Sequence, residues 1–83
     1  MTLDHLPRGT SATITSIRWD DLAPDEARRL RALGIDEGVE VQVAHRGVFA
    51  GSDPLAVTVG RMTVALRRAH AAAMQVSVGE GAV

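Results

Sequence analysis

Several residue types are scarce or missing in this 83-residue sequence, and each absence excludes a class of chemistry. There is no cysteine, which excludes disulfides, thiolate metal ligands and cysteine nucleophiles, and which fits a reducing compartment. There is also no tyrosine, and the aromatic residues are limited to Trp19 and Phe49. A core must therefore be aliphatic, and a peptide groove lined with aromatic side chains is not expected. No apolar run approaches the roughly 18 residues of a membrane-spanning helix.

Length and charge bound the organisation of the chain. We expect one domain over residues 1–83, with its core between about residues 3 and 78, because a chain of this size has room for only one. The net charge of −1 favours neither nucleic acid nor an anionic membrane as a partner. The first residues, MTLDHLPRG, lack the basic and apolar segments of a signal peptide, so we expect a cytoplasmic protein.

Residues 24–38, which read PDEARRLRALGIDEG, predict a helix of about nine residues that is ended by a glycine. Pro24 suits the first helical position, acidic residues follow at the positive end of the helix dipole, and arginines lie toward the negative end. Gly34 is placed to adopt the left-handed conformation, with Ile35 folding back onto Leu30. Because so short a helix is unstable alone, it must be supported by the rest of the fold.

Most of the remaining chain alternates as half-buried strands do. Five strands are predicted, at residues 12–17, 39–44, 55–59, 62–66 and 75–78. Gly60 begins a two-residue hairpin turn, Leu3 and Leu6 indicate a helical turn under the core, and residues 68–74 indicate one or two more turns of helix. Since a small sheet must protect its edges, we predict a mainly β fold. The predicted fold is a small five-stranded barrel. The short helix lies in the connection between the first two strands and caps one end of the barrel.

The titratable side chains do not form a recognisable catalytic or metal motif. His5, His45 and His70 have no short ligand spacing, so we interpret them as separate histidines and assign no metal ligand. Transition-metal ion binding through the fold is left open. There is no nucleophile elbow, and residues 47–51 lack the lysine and the following helix of a phosphate loop. We therefore expect a protein that is not an enzyme, with no catalytic residue and no cofactor.

Two surfaces are candidates for contact with a partner. The arginines of the helix, and Arg67 with Arg68, are interpreted as a solvated face, because a nucleic-acid surface needs more positive charge and stacking aromatic residues. Phe49 lies in a polar, glycine-rich loop, and an exposed Phe49 near Leu33 or Ile35 would form an apolar patch that docks a partner.

Trp19 is interpreted instead as a residue that covers the barrel mouth and completes the small core. An unpaired edge at the strand of Val39 or of Gln75 would allow self-association, and the oligomeric state is left open.

An ordered series of segments resembles one known family. The segments LDHLPRGTSATITSI, RRLRALGIDEGVEVQV, GSDPL, VTVGRMTVALRR and AAAMQV are similar to the FeoA family, small cytosolic proteins associated with bacterial ferrous-iron uptake. The resemblance covers residues 3–76, and the order of the segments is more specific than any single one. Ile35 stands where that family often has an aromatic residue, and Glu37 where it often has a proline. Neither difference is expected to break the fold.

The resemblance implies an SH3-like barrel and an accessory role. It implies a small partner of the membrane ferrous-iron transporter FeoB, acting at its cytosolic side near the GTP-binding region and recruited to the inner membrane through that partner. The same domain occurs fused to metal-dependent repressors, so a metal-responsive regulatory module is the alternative. This chain has no room for a helix-turn-helix, which favours a stand-alone protein. A third interpretation is an interaction barrel with no link to iron.

Overall fold

Five strands and two short helices make up the chain in the computed structural model, which describes residues 1–46 and 54–78. The strands are β1 (Ser11–Ile17), β2 (Glu40–Arg46), β3 (Leu55–Val59), β4 (Met62–Leu66) and β5 (Met74–Val78). The helices are α1 (Pro24–Ala32) and α2 (Arg68–Ala71), and short 3-10 turns occupy Leu3–His5 and Trp19–Asp21. The five predicted strands and the helix in the first long connection are thus confirmed. Phe49 lies outside the described residues.

All five strands pair antiparallel in one sheet, in the order β4-β3-β2-β1-β5. The predicted unpaired edge at the Val39 strand is wrong, because β2 follows directly after Val39 and pairs with both β1 and β3. β5 ends the order, but its outer side is partly covered. Thr2 forms a bridge with Gln75, and the N–H of Val76 donates to the carbonyl of Met1 at 2.8 Å.

A β-bulge in β1 explains why the alternation in this strand changes phase. Ile14 lies opposite Val76, whereas Ser16 lies opposite Gln75, so two steps along β1 match one step along β5. Ala12 and Ile14 point toward the core, and successive strand residues point to opposite faces. Because the bulge adds one residue, Ile17 also points toward the core, three positions after Ile14. A second irregularity interrupts the β2–β3 pairing after Val43.

The core is aliphatic, as the composition predicts. No polar or charged residue among the described part of the chain is buried. The predicted turn near the N-terminus is confirmed, since Leu3 and Leu6 are both fully buried. The residues with the largest fully buried side chains are Leu3, Leu6, Ile14, Leu30, Ile35, Leu55, Leu66, Met74, Val41, Val43 and Val57. Helix α1 contributes a single buried residue, Leu30, so it lies on the outside of the core.

Helix α2 is shorter than the predicted segment 68–74. Its four residues end at Ala71, and Met74 belongs to β5, where it lies opposite Ile17. Alanine favours helix, but the chain is held as a strand end by a tertiary hydrogen bond. The N–H of Arg18 donates to the carbonyl of Ala73 at 2.8 Å. Pairing with β1 therefore outweighs the local preference for helix.

Candidate interaction surface at the end of helix α1

Helix α1 ends at Gly34 in a Schellman motif. The N–H of Ile35 donates to the carbonyl of Leu30 at 2.9 Å, and the N–H of Gly34 donates to the carbonyl of Arg31 at 3.0 Å. Gly34 has a φ of 94°, which side chains other than glycine rarely adopt. Leu30 and Ile35 are both buried in the same core cluster. The predicted glycine stop is confirmed, and it fixes the direction in which the chain leaves the helix.

The turn after Gly34 is fastened to β1 by both backbone and side chain. The N–H of Gly38 donates to the carbonyl of Ile14 at 2.7 Å. One carboxylate oxygen of Glu37 accepts hydrogen bonds from the N–H of Ile17 at 3.2 Å and from Nε1 of Trp19 at 3.1 Å. Trp19 is half-buried against the core, as its predicted covering role requires. Glu37 thus joins the turn, the end of β1 and the indole ring.

The neighbouring carboxylate of Asp36 completes this acidic turn. Hydrogen bonds from Glu37, including one from its N–H to Oδ1 of Asp36 at 2.8 Å, hold the pKa of Asp36 below its ordinary value. Arg31 adds a weaker electrostatic effect in the same direction. The ionised form of Asp36 is therefore favoured beside the end of α1.

The guanidinium carbon of Arg31 lies 4.1 Å from the centroid of the Trp19 ring, which is a cation–π contact. Leu33 lies at the end of the same helix and is half-buried against the core. We call Trp19, Arg31 and Leu33 the helix-end surface; Arg31 is exposed, and Trp19 and Leu33 are half-buried. Tryptophan and arginine are enriched among the residues that dominate the binding energy at the centre of protein–protein interfaces.

The three residues predicted to dock a partner lie in different environments. Leu33 is half-buried and keeps part of its surface. Ile35 is only 1% exposed and offers a partner almost nothing, because it closes the helix end against the core. Phe49 lies outside the described residues, so its place beside Leu33 stays a prediction.

Most charges of α1 are paired on its own surface. Asp25 pairs with Arg28, three residues further along the helix, and both are exposed. Glu26 receives hydrogen bonds from Nε of Arg29 at 3.2 Å and from Nη2 of Arg29 at 2.7 Å. These pairs are consistent with the prediction of a solvated, dipole-matched face.

Glu26 also faces the second helix. Its Oε2 atom lies 3.3 Å from Nδ1 of His70, which is a buried atom without a hydrogen-bond partner among the described residues. The hydrogen bonds from Arg29 hold the pKa of Glu26 below its ordinary value, and the nearby charges of Arg29, His70 and Arg67 act in the same direction. The Glu26 carboxylate therefore lies between α1 and α2.

Comparison with known proteins identifies the family. The model of the FeoA domain matches residues 1–78. The chain belongs to the FeoA family. This family is not a known family of enzymes. No curated protein matches the sequence closely.

Solved structures of other FeoA proteins share the fold of this FeoA domain. The FeoA protein from Chlorobium tepidum is 30% identical with a TM-score of 0.83, over 98% of this chain and 72% of that one. FeoA from Stenotrophomonas maltophilia, described as an SH3 domain protein, is 42% identical with a TM-score of 0.73, over 93% and 89%. The predicted SH3-like architecture is confirmed.

Longer proteins contain the same fold. Iron(II) transport protein A from Clostridium thermocellum is 23% identical with a TM-score of 0.82, over 98% of this FeoA domain. The chain spans about half of the length of that protein, 47%. A manganese-dependent transcriptional repressor is 25% identical with a TM-score of 0.76, and the match spans 41% of the repressor.

The three histidines of this FeoA domain have different surroundings. His5 lies 3.5 Å from Asp4, His45 is exposed on β2, and His70 faces Glu26. Within residues 1–46 and 54–78, no three histidine, aspartate or glutamate side chains are grouped as metal ligands. The Stenotrophomonas maltophilia protein was solved as a complex with zinc, which is a property of that protein. In the same described residues, no helix combines the length and hydropathy needed to cross a bilayer.

Sequence reasoning missed the bonds that organise the helix-end surface. Glu37 was recognised only as a departure from a common proline, and its link to Trp19 spans 18 positions, which no local spacing predicts. The contact of His70 with Glu26 joins two helices that are far apart in sequence. Trp19 lies between Arg18 and the acidic pair Asp20 and Asp21. This local sequence does not indicate which carboxylate the indole nitrogen binds.

Proposed function

We propose that this protein is a cytoplasmic accessory of bacterial ferrous-iron transport. It acts by direct contact with the cytosolic side of a FeoB-like membrane transporter, near the GTP-binding region. The observation that carries the proposal is membership of the FeoA family over residues 1–78. The names of its solved relatives support the link to iron, since one is called an iron(II) transport protein and another a possible activating factor of ferrous iron transport.

The helix-end surface is the contact surface that we propose. Arg31 and Trp19 are stacked and remain partly exposed, and Leu33 adds an apolar side chain at the same helix end. The surface is held in place from beneath, because Ile35 is buried and Glu37 fixes the indole ring. Such pre-organisation lowers the entropy cost of binding.

Co-purification tests the proposal. The protein and the FeoB-like transporter from the same organism are mixed in detergent, with GDP or with a non-hydrolysable GTP analogue. We expect the wild-type protein to co-purify with the transporter. Arg31→Glu is expected to weaken binding at least about fivefold, as loss of a central interface residue does.

Arg8→Glu is the matched control for Arg31→Glu, because Arg8 is also an exposed arginine but lies in the turn before β1. This control should bind like the wild type. Circular dichroism of both variants checks that the fold is intact. If the pair never associates with either nucleotide, the adaptor role is wrong. If Arg31→Glu and Arg8→Glu bind equally, the role stands and the helix-end surface is wrong.

The structural neighbour among the repressors favours a second candidate. A match with a TM-score of 0.76 to part of a manganese-dependent transcriptional repressor supports a metal-responsive regulatory module. In that case the partner is a nucleic-acid-binding protein. A repressor gene beside the gene for this protein, with no transporter gene nearby, would favour this candidate.

A further inference from the structure

Strand β4 is the less protected of the two sheet edges within residues 1–46 and 54–78. It pairs with β3 on one side, in an unbroken register from Met62 opposite Val59 to Leu66 opposite Leu55. Among the described residues, no backbone hydrogen bond reaches its other side. β5 stands at the opposite end of the order, and there the first residues of the chain cover part of the edge. The two edges of one sheet therefore differ in how they are protected.

The hairpin decides which groups of β4 point outward. A two-residue turn closes with a hydrogen bond between its flanking residues, here Val59 and Met62. Pairs along an antiparallel ladder alternate between bonded and non-bonded, so Val64 and Leu66 are also bonded to β3. The N–H and C=O groups of Thr63 and Ala65 therefore point away from β3. Four backbone groups face the free edge.

Natural sheets usually protect such an edge with lysine, proline, a bulge or an inward-pointing charge. The five residues of β4, MTVAL, contain no charge and no proline, and the β3–β4 ladder has no bulge. Thr63 and Ala65 are exposed and small, and they lie opposite Thr58 and Ala56, which are also small. Within the part of the chain that the structure describes, no charge, proline or bulge of β4 itself opposes the approach of another strand to this edge.

Arginines flank this uncharged edge. Thr63 and Ala65 are exposed within β4, Arg61 lies in the turn just before the strand and Arg67 just after it, and both arginines are exposed. The two arginines are six residues apart, which is about 20 Å along an extended strand. Arg61 forms no ion pair within the described residues, and Arg67 lies near enough to Glu26 to affect it electrostatically. The edge thus carries positive charge at both ends.

The same charges oppose pairing between two copies of this chain. An antiparallel β4–β4 ladder that overlaps the whole strand centres on Val64. It places Arg61 of each copy opposite Arg67 of the other, and like charges directly opposite are destabilising. Shifted registers lose several of the backbone bonds. A strand with acidic ends avoids the repulsion between arginines, and it is able to pair in full register without losing backbone bonds.

We propose that the β4 edge binds an extended segment of a protein partner, which adds antiparallel to β4 as a sixth strand. The segment has an uncharged centre of about five residues and an acidic residue at each end. Backbone bonds to Thr63 and Ala65 supply the pairing, and Arg61 and Arg67 select the charge of the segment. The inference does not depend on the role in iron transport, because the test below uses the protein and synthetic peptides alone.

The probe is the capped peptide EVTVTVE, added to the ¹⁵N-labelled 83-residue protein. We expect amide shifts centred on Thr63 and Ala65, and slower hydrogen exchange of these two amides, because they become hydrogen-bonded. The capped peptide KVTVTVK should bind at least about fivefold more weakly. The acidic peptide N-methylated at both threonines should not bind, because it cannot complete the ladder.

Two variants test the edge itself. Thr63→Pro removes an outward N–H, which an edge strand tolerates, and should weaken binding of EVTVTVE on the order of tenfold. Arg61→Glu should weaken it about fivefold and improve binding of KVTVTVK, whereas Arg8→Glu should change neither. Thermal unfolding of each variant checks that it is folded.

Three results would overturn the proposal. The first is that EVTVTVE shifts no amide of β4 at millimolar concentration. The second is equal binding of both peptides, which removes the role of the arginines. The third is a concentration-dependent dimer that Thr63→Pro dissolves, because the occupant of the edge would then be a second copy.

Discussion

Replacing Glu37 with alanine is expected to lower the free energy of unfolding by about 1–2 kcal/mol. One oxygen of the carboxylate accepts two hydrogen bonds, from the N–H of Ile17 at 3.2 Å and from Nε1 of Trp19 at 3.1 Å. A hydrogen bond to a charged group contributes about 1.5–3 kcal/mol when it is buried. Here Trp19 is only half-buried and water replaces part of the loss, so each bond is assigned roughly 0.5–1 kcal/mol.

The glutamine variant separates charge from geometry. Glu37→Gln keeps one carbonyl oxygen that is able to accept both bonds, so we expect a loss of only about 0.5 kcal/mol. Glu40→Ala is the matched control, because Glu40 is exposed on β2 and makes no side-chain bond within the described residues. The free energy of unfolding of Glu40→Ala should lie within about 0.5 kcal/mol of that of the wild type.

Urea unfolding followed by tryptophan fluorescence measures these differences, since Trp19 is the single tryptophan of the chain. For a domain of this size, a loss of 1 kcal/mol corresponds to about 4–8 °C in Tm, so a thermal scan gives an independent value. A double-mutant cycle with Trp19→Phe, followed by circular dichroism, should give a coupling of about 0.5–1 kcal/mol with Glu37→Ala. If Glu37→Ala is as stable as Glu40→Ala, and the coupling is zero, Glu37 does not fasten the turn.

Three further changes test other parts of the fold, each by urea unfolding. Gly34→Ala should cost about 1–2 kcal/mol, because the φ of 94° strains an L side chain, although the added Cβ would lie at an acceptable 3.8 Å from Val59. A loss below about 0.3 kcal/mol would contradict this. Leu30→Ala should cost about 2–5 kcal/mol, because Leu30 is fully buried and is the single buried residue of α1, and a smaller loss would mean that α1 packs loosely. Glu26→Gln should cost about 0.5–1 kcal/mol at pH 7, because the carboxylate is bonded to Arg29. Since the pKa of Glu26 is lowered by folding, that contribution is present above its ordinary value of 4.5 and disappears as the pH falls below it. The variant and the wild type should therefore converge in acid, and a difference independent of pH would be evidence against the assignment.

Local patterns predicted the parts of this fold whose cause is local. Gly34 marked the end of α1 because only glycine adopts a positive φ there without strain. Alternation of apolar residues marked the strands, and Gly60 marked the hairpin turn, where its φ is 61°. Ile17 fits no simple alternation, and its burial was decided by a bulge that exists only in the pairing of β1 with β5.

Long-range pairing decided which surfaces are free. Leu33 and Ile35 are two residues apart and both apolar, but the Schellman turn buries Ile35 and leaves Leu33 half-buried. Likewise, the strand of Val39 was predicted as a possible edge, but β2 lies in the middle of the sheet, whereas β4 and β5 end the strand order. The order of strands in a sheet depends on contacts between distant parts of the chain, so the sequence of one strand does not indicate its position in that order.

By itself, the sequence determined a small aliphatic β domain with one short helix, the glycine stop of that helix, and the family resemblance that the FeoA match bears out. Each of these depends on residue type and short spacing. Only the tertiary structure decided that Glu37 binds Trp19, that Arg31 stacks on the same ring, and that β4 stands at one end of the strand order. These contacts join residues that are distant in sequence, and they arise because folding the sheet brings together segments that no local pattern relates.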